Sequence, residues 1–95
     1  MINMAIIGFG RQGIGHAKWI AENKDLRLIA ICEKNESRLE NIKKEYKLDV
    51  YSDIDRLLNV KEIDYIVIAT TNEFHEEYTI KSLQKEKNVI VEKTI

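Results

Sequence analysis

The sequence predicts an α/β domain built on a doubly wound parallel sheet, with about five strands in the order 3-2-1-4-5 and helices on both faces. Three observations carry that prediction. Short apolar runs alternate along the chain with stretches whose apolar residues recur at spacings of three and four. The runs are apolar at nearly every position rather than at every second one, as in strands covered on both sides. All four glycines lie between Gly8 and Gly15, directly after the first run, and the chain has no proline, so the backbone signals concentrate at one turn.

Ile2 to Ile7 is the first strand and ends at Gly8. Arg11 to Asn23 follows as a helix, with Ile14, Ala17 and Ile20 or Ala21 as the stripe that lies on the sheet. Leu26 to Cys32 is the second strand. Asn35 is placed to cap a helix with Leu39, Ile42 and Tyr46 on its buried face and Arg38, Glu40, Lys43, Lys44 and Glu45 in water. Asp49 to Tyr51 is a brief third strand. Ser52, with Asp55 three residues later, reads as a capping box opening a short helix around Leu57 and Leu58. Ile63 to Ala69, rich in β-branched residues, is the fourth strand. Thr70, Thr71 or Asn72 then caps a helix that starts near Glu73, its inner side marked by Phe74, Tyr78 and Leu83. Asn88 to Val91 is the fifth strand, and Glu92 to Ile95 an abrupt end. No linker, repeat or low-complexity tract divides the chain, so residues 1–95 read as one unit.

Composition narrows the partners. A chain of 95 residues and 11.1 kDa forms one core, burying roughly 65% of the surface exposed when unfolded. With 15 basic and 16 acidic residues the net charge is -1, so no uniform basic field holds nucleic acid or an anionic membrane. A hydrophobic fraction of 44% against 33% charged residues describes a soluble globular domain. No apolar run approaches the ~20 residues of a membrane-spanning helix, and no signal peptide opens the chain. Cys32 stands alone in an apolar stretch, where a small buried hydrophobe is expected; a reducing cytoplasm fits it. One cysteine and two distant histidines, His16 and His75, make no metal-ligand spacing.

Gly8-Phe9-Gly10-Arg11-Gln12-Gly13 is a G-x-G-x-x-G between a strand and a helix. In that context the first glycine permits the tight turn, the second lets backbone N–H groups approach a pyrophosphate, and the third lets the helix pack closely on its strand. The pyrophosphate then rests on a helix N-terminus. An acidic residue about 20 positions further on, at the tip of the second strand, completes the pattern by binding the ribose hydroxyls. Glu33 occupies that place and favours NAD over NADP, while Lys34 and Arg38 beside it soften the preference, since either is placed to meet a 2′-phosphate. FAD and S-adenosylmethionine sites also pair glycine loops with a strand-end acid, so these residues alone leave the ligand open.

Gly8-Phe9-Gly10-Arg11-Gln12-Gly13-Ile14-Gly15-His16 resembles the opening of the glucose-fructose oxidoreductase, inositol dehydrogenase and rhizopine catabolism family (Gfo/Idh/MocA). Ala69-Thr70-Thr71-Asn72-Glu73-Phe74-His75 is similar to that family's A-T-P-N-x-x-H, and Val91-Glu92-Lys93-Thr94 to its E-K-P. Order and spacing match along essentially the whole chain. Thr71 and Thr94 depart from the pattern, standing where the family has proline. The resemblance implies a Rossmann fold and cofactor contacts from the loop Gly8 to Gly13, from Glu33, Lys34 and Arg38, from Thr70, Thr71, Asn72 and His75, and from Glu92 and Lys93. Lys93, by the same resemblance, lies near the nicotinamide and assists proton transfer at a substrate hydroxyl. His16 reads as structural, and His75 as a packed residue with a backbone partner as readily as a cofactor contact. The family's catalytic histidine comes from a second domain that is absent here, so neither inherits that role.

Two functions are therefore expected candidates. One is the NAD(P)-binding domain of an oxidoreductase acting on a sugar, polyol or similar small hydroxy or carbonyl compound, engaging that substrate only with a second domain. The other is a non-catalytic nucleotide-binding module, acting as a redox or metabolite sensor or through a protein partner. An isolated unit is also expected to expose an apolar patch near the tips of its fourth and fifth strands, a place for homo-oligomer contacts.

Overall fold

Every residue from Met4 to Ile7 is buried, and alternate side chains point to opposite faces, so this run needs cover on both sides and takes the centre of the sheet. The computed structural model describes residues 1–91. Along it lie β1 (Ile2–Ile7), α1 (Arg11–Glu22), β2 (Leu26–Cys32), α2 (Glu36–Tyr46), β3 (Asp49–Tyr51), α3 (Ile54–Leu58), β4 (Tyr65–Ile68), α4 (Asn72–Gln84) and β5 (Asn88–Val91). All pairings are parallel, and the strand order is β3-β2-β1-β4-β5, as the sequence predicts. The register changes once, between Met4 and Ala5 opposite β2.

Two cores follow from the alternation. Met4, Ile6, Ile31 and Val67 face Ala17 and Ile20 of α1 and Ile42 of α2. Ala5, Ile7, Ala30, Ile66 and Ile68 face Ile54, Leu57 and Leu58 of α3 and Tyr78 of α4. Among the described residues no helix is long and apolar enough to cross a membrane.

Four local expectations are corrected. The inner row of α1 is Gly13, Ala17 and Ile20, while Ala21 is exposed and Ile14 is 43% exposed. Gly13 takes the inner row against the first turn, and Ile14, about 100° further round the helix, falls off that row. Asp53, not Ser52, caps α3: its Oδ1 accepts from the Asp55 N–H at 3.0 Å, which leaves Ile54 free to enter the core. β4 is shorter than predicted because Ile63 is still in the preceding turn, its N–H donating to the Val60 carbonyl. On α4 the buried row is Tyr78 and Ser82, whereas Leu83 is 57% exposed. Ser82 satisfies its hydroxyl on the Tyr78 carbonyl at 2.7 Å, which lets a polar side chain hold the inner row. Ile80, Leu83, Ile90 and Val91 are exposed along the α4 and β5 edge.

A buried lysine ties the bottom of this edge together. Lys87 Nζ donates to the carbonyls of Val60 at 2.8 Å and Ile63 at 2.9 Å, anchoring the turn between α3 and β4. Replacing it by methionine keeps the stem but strands two carbonyls, so Lys87→Met is expected to cost about 1–3 kcal/mol, read as a lower urea midpoint at unchanged slope.

Burial, then the negative charges of Asp53 and Glu33, push the Cys32 thiol from 9.0 up to about 12, with Lys34 opposing. The folded chain thus keeps a proton that the unfolded chain releases, so stability falls as pH rises from 9.0 toward about 12. Tyr46, raised chiefly by burial, acts in the same direction. Comparison with Cys32→Ala isolates the thiol: the stability lost by that substitution should shrink between about pH 8 and about pH 11, by at most about 1.4 kcal/mol per unit. A loss that stays constant across that range refutes the assignment.

Candidate functional site

The sheet order reverses between β1 and β4, so the loops after them diverge and leave a crevice at their carboxyl ends. A cleft of about 580 Å³ opens there, walled by Ile7 to Gly10, Cys32 to Lys34 and Arg38, Ser52 to Ile54, Ala69 to Thr71, and Phe74 and Tyr78 of α4. A smaller cleft of about 370 Å³ lies against Gly10, Arg11, Gln12, Ala69, Thr70 and Thr71. Gly10, Ala69, Thr70 and Thr71 border both, which makes a two-chambered groove across the first turn.

The glycines of that turn answer to different demands. Gly8 has φ +91°, and a Cβ on it would lie 2.8 Å from Thr70 Cγ2 and 3.0 Å from the Ala69 backbone. A Cβ on Gly13 would overlap the Gly8 carbonyl oxygen. Folding therefore requires both. Gly10 differs: its φ is -84°, and a Cβ there meets nothing within 4 Å. It stands at the N-cap of α1, where it offers no side chain to the first turn, and that turn contains no acidic residue. Exposed N–H groups at a helix N-terminus beside open space suit an anion.

Glu33 faces this turn and is 12% exposed. Its Oε1 accepts from the Phe9 N–H at 3.2 Å and from Arg38 Nη1 at 3.1 Å, and its Oε2 accepts from the Asn35 N–H at 3.0 Å. The carboxylate is thus fixed by three donors, with lone-pair capacity left mainly on Oε2. Lys34, one residue on, turns away from Glu33 and lies over the Phe74 ring, Nζ 3.9 Å from its centroid.

Thr70 Oγ1 donates to the Thr71 carbonyl at 3.4 Å, and Thr71 Oγ1 donates to Glu73 Oε1 at 3.3 Å. His75 Nε2 meets the Thr70 carbonyl at 2.8 Å, the backbone partner of a packed histidine, and so braces the loop. His16 accepts at Nδ1 from Trp19 Nε1 at 2.8 Å on α1. The Asn72 side chain, Glu92 and Lys93 lie outside the described residues. The fold brings Gly8 to Gly10, Glu33, Lys34, Arg38, Thr70 and Thr71 to one cleft, and Arg11 and Gln12 to its neighbour. Ser52, Asp53, Phe74 and Tyr78 also line the cleft and were not expected there; the tip of the third strand was the signal that could have found the first two.

Residues 2–95 match the model of the Gfo/Idh/MocA family, described as an oxidoreductase family with an NAD-binding Rossmann fold. The chain is 30% identical over 95 residues to 2,7-anhydro-N-acetylneuraminate hydratase of Escherichia coli (strain K12), covering 100% of this chain and 25% of that protein. It superposes on a probable dehydrogenase from Thermotoga maritima with a TM-score of 0.92 at 28% identity, covering 97% of this chain and 28% of that one. A scyllo-inositol dehydrogenase from Lactobacillus casei, solved with NAD(H) and scyllo-inositol, aligns with a TM-score of 0.90 at 30% identity, over 98% of this chain and 28% of that one. The chain spans about a quarter of the length of these relatives. With the family model matched over residues 2–95 and the strand order of a doubly wound dinucleotide fold, this chain belongs to the Gfo/Idh/MocA oxidoreductase family as its NAD-binding Rossmann fold.

Proposed function

We propose that residues 1–95 are the cofactor-binding domain of an NAD(P)-dependent oxidoreductase that moves hydride between a nicotinamide and a sugar, polyol or similar small hydroxy or carbonyl compound. The observation that carries this reading is Gly10. Neither its φ nor its surroundings require a glycine for folding, and the space a side chain would fill adjoins the uncapped start of α1. A pyrophosphate held by the Phe9 to Gly13 backbone explains the residue. Glu33 then takes the adenosine ribose, accepting one hydroxyl on Oε2 and a second when Arg38 yields its place on Oε1. That geometry favours NAD, and Arg38, once released, is the nearer cation for a 2′-phosphate. The chamber beside Arg11, Gln12, Thr70 and Thr71 suits the nicotinamide half.

A bound nicotinamide supplies the hydride acceptor or donor. The residues contribute placement and proton handling: Asn72 and Glu92 border the same strand ends in sequence, and Lys93 is assigned the proton at the substrate hydroxyl, where an ammonium stabilises a developing alkoxide. The sugar-derived or polyol names of two relatives support the substrate class. The non-catalytic alternative draws no support from them.

Calorimetric titration with NAD tests the reading. Gly10→Val is expected to abolish binding at unchanged thermal stability, whereas Gly13→Val should unfold the chain. Retained affinity in Gly10→Val refutes the pyrophosphate assignment. Glu33→Ala should weaken NAD by about 1–3 kcal/mol and NADP by less. The 95-residue chain alone should not reduce NAD with polyols or sugars, because hydride transfer needs a donor held about 3–3.5 Å away in a site closed to water. Steady turnover, followed by nicotinamide absorbance and lost in Lys93→Ala, would overturn that expectation.

A further inference from the structure

We propose that Lys34 is a built-in competitor for the adenine end of the cleft, its ammonium occupying the aromatic face on which a purine would stack. The inference rests on the dinucleotide reading above and assigns this residue a selectivity role within it. Lys34 comes from the tip of β2, whereas Phe74 lies in the first turn of α4 beyond β4. The side chain therefore crosses the cleft mouth from one wall to the other, and its Nζ sits 3.9 Å from the Phe74 centroid and 5.6 Å from that of Tyr78. The two rings are near-parallel, with centroids 5.4 Å apart and an interplanar angle of 13°; both line the cleft, Tyr78 buried and Phe74 half-buried, so Phe74 is the ring within reach of a ligand.

Two neighbours bear on the strap. Tyr78, whose ring centroid lies 5.6 Å from Nζ, is the largest cause that raises Lys34 above its ordinary pKa, so the ammonium is favoured there. Glu33, the adjacent carboxylate, does not draw the lysine back, since Arg38 and two backbone N–H groups already hold it. Beside the rings, Cys32 and Ile54 add further apolar lining to the cleft next to Glu33. A planar base following its ribose past Glu33 reaches the same ring face as the ammonium. Only one of them can have it.

A cation over an exposed ring is worth about a twofold to fivefold factor in an equilibrium constant. A ligand that must displace it binds more weakly by that factor, because only the strap-open fraction is competent. The released ammonium stays one residue from Glu33, where NAD offers it no anion and a 2′-phosphate does. Lys34 thus penalises NAD without penalising NADP equally.

Calorimetry on the 95-residue chain with NAD, NADP and nicotinamide mononucleotide, which lacks adenine, separates the effects. Lys34→Met, which keeps the stem, should tighten NAD about twofold to fivefold and weaken NADP. Lys34→Arg, which restores a cation on the ring, should return NAD to the parent value or below. Nicotinamide mononucleotide should be unaffected throughout. In the parent, the Lys34 ε-methylene resonance should be shifted upfield by the Phe74 ring current and should move downfield when NAD is added; Phe74→Leu should abolish the shift and the effect of Lys34→Met. Weaker or unchanged NAD binding in Lys34→Met, with NAD bound by the parent, overturns the competition alone. Failure of NAD to bind parent and every variant, with the ring-current shift still present, overturns the dinucleotide reading and the competition with it.

Discussion

Close approach of α1 to the first strand turn is possible only because Gly13 presents no side chain to the Gly8 carbonyl, and the other features of the groove depend on it. The contact fixes where α1 begins, so its unpaired N–H groups open at the point where the sheet order reverses. Gly8, with φ +91° and Thr70 Cγ2 packed where a Cβ would stand, holds the loop after β4 against the same turn. Two glycines thus spend their lack of side chains on packing, and a third, Gly10, leaves a space. The groove is what the first two make and the third keeps open.

Glu33 extends that frame sideways. By accepting from Phe9 N–H and Asn35 N–H it joins the first turn to the start of α2, while its own N–H donates to the Tyr51 carbonyl. A residue that reads as a ligand contact is therefore also a structural cross-brace, and any substitution there alters the loop as well as the contact. Charge-assisted hydrogen bonds to backbone N–H groups explain why the carboxylate stays ordered while largely withdrawn from water. His75, on the Thr70 carbonyl, braces the opposite lip in the same way.

The sheet and its order were legible because apolar runs without alternation mark strands covered on both faces, and only a doubly wound arrangement covers five of them with these helices. The two misplaced helix rows share a cause. Hydrophobic periodicity counts apolar side chains, so it missed a helix row that begins with Gly13 and one that ends with Ser82, and it assigned Ile14 and Leu83 inward instead. Lysine is scored as surface, which hid the role of Lys87 beneath the α3 to β4 turn. The glycine loop and Glu33 were readable since their spacing is set by one strand and one helix. The Lys34 and Phe74 pair was not, because it depends on which strand tips the topology brings together and leaves no local spacing.

The groups proposed to meet the ribose and the base in the larger chamber both hold protein cations: Arg38 lies on the Glu33 carboxylate and the Lys34 ammonium on the Phe74 ring. An acidic group without a partner in a half-enclosed cleft would raise the free energy of the empty site, and Arg38 with the Phe9 and Asn35 N–H groups removes that cost. Binding then becomes an exchange of one satisfied contact for another, so its net gain is smaller than the sum of the new contacts. Under the proposed function, a modest net gain would favour release of the cofactor after each turnover, and the shape of the groove, set by its glycines, would supply the selectivity that a deeper energy well would otherwise have to provide.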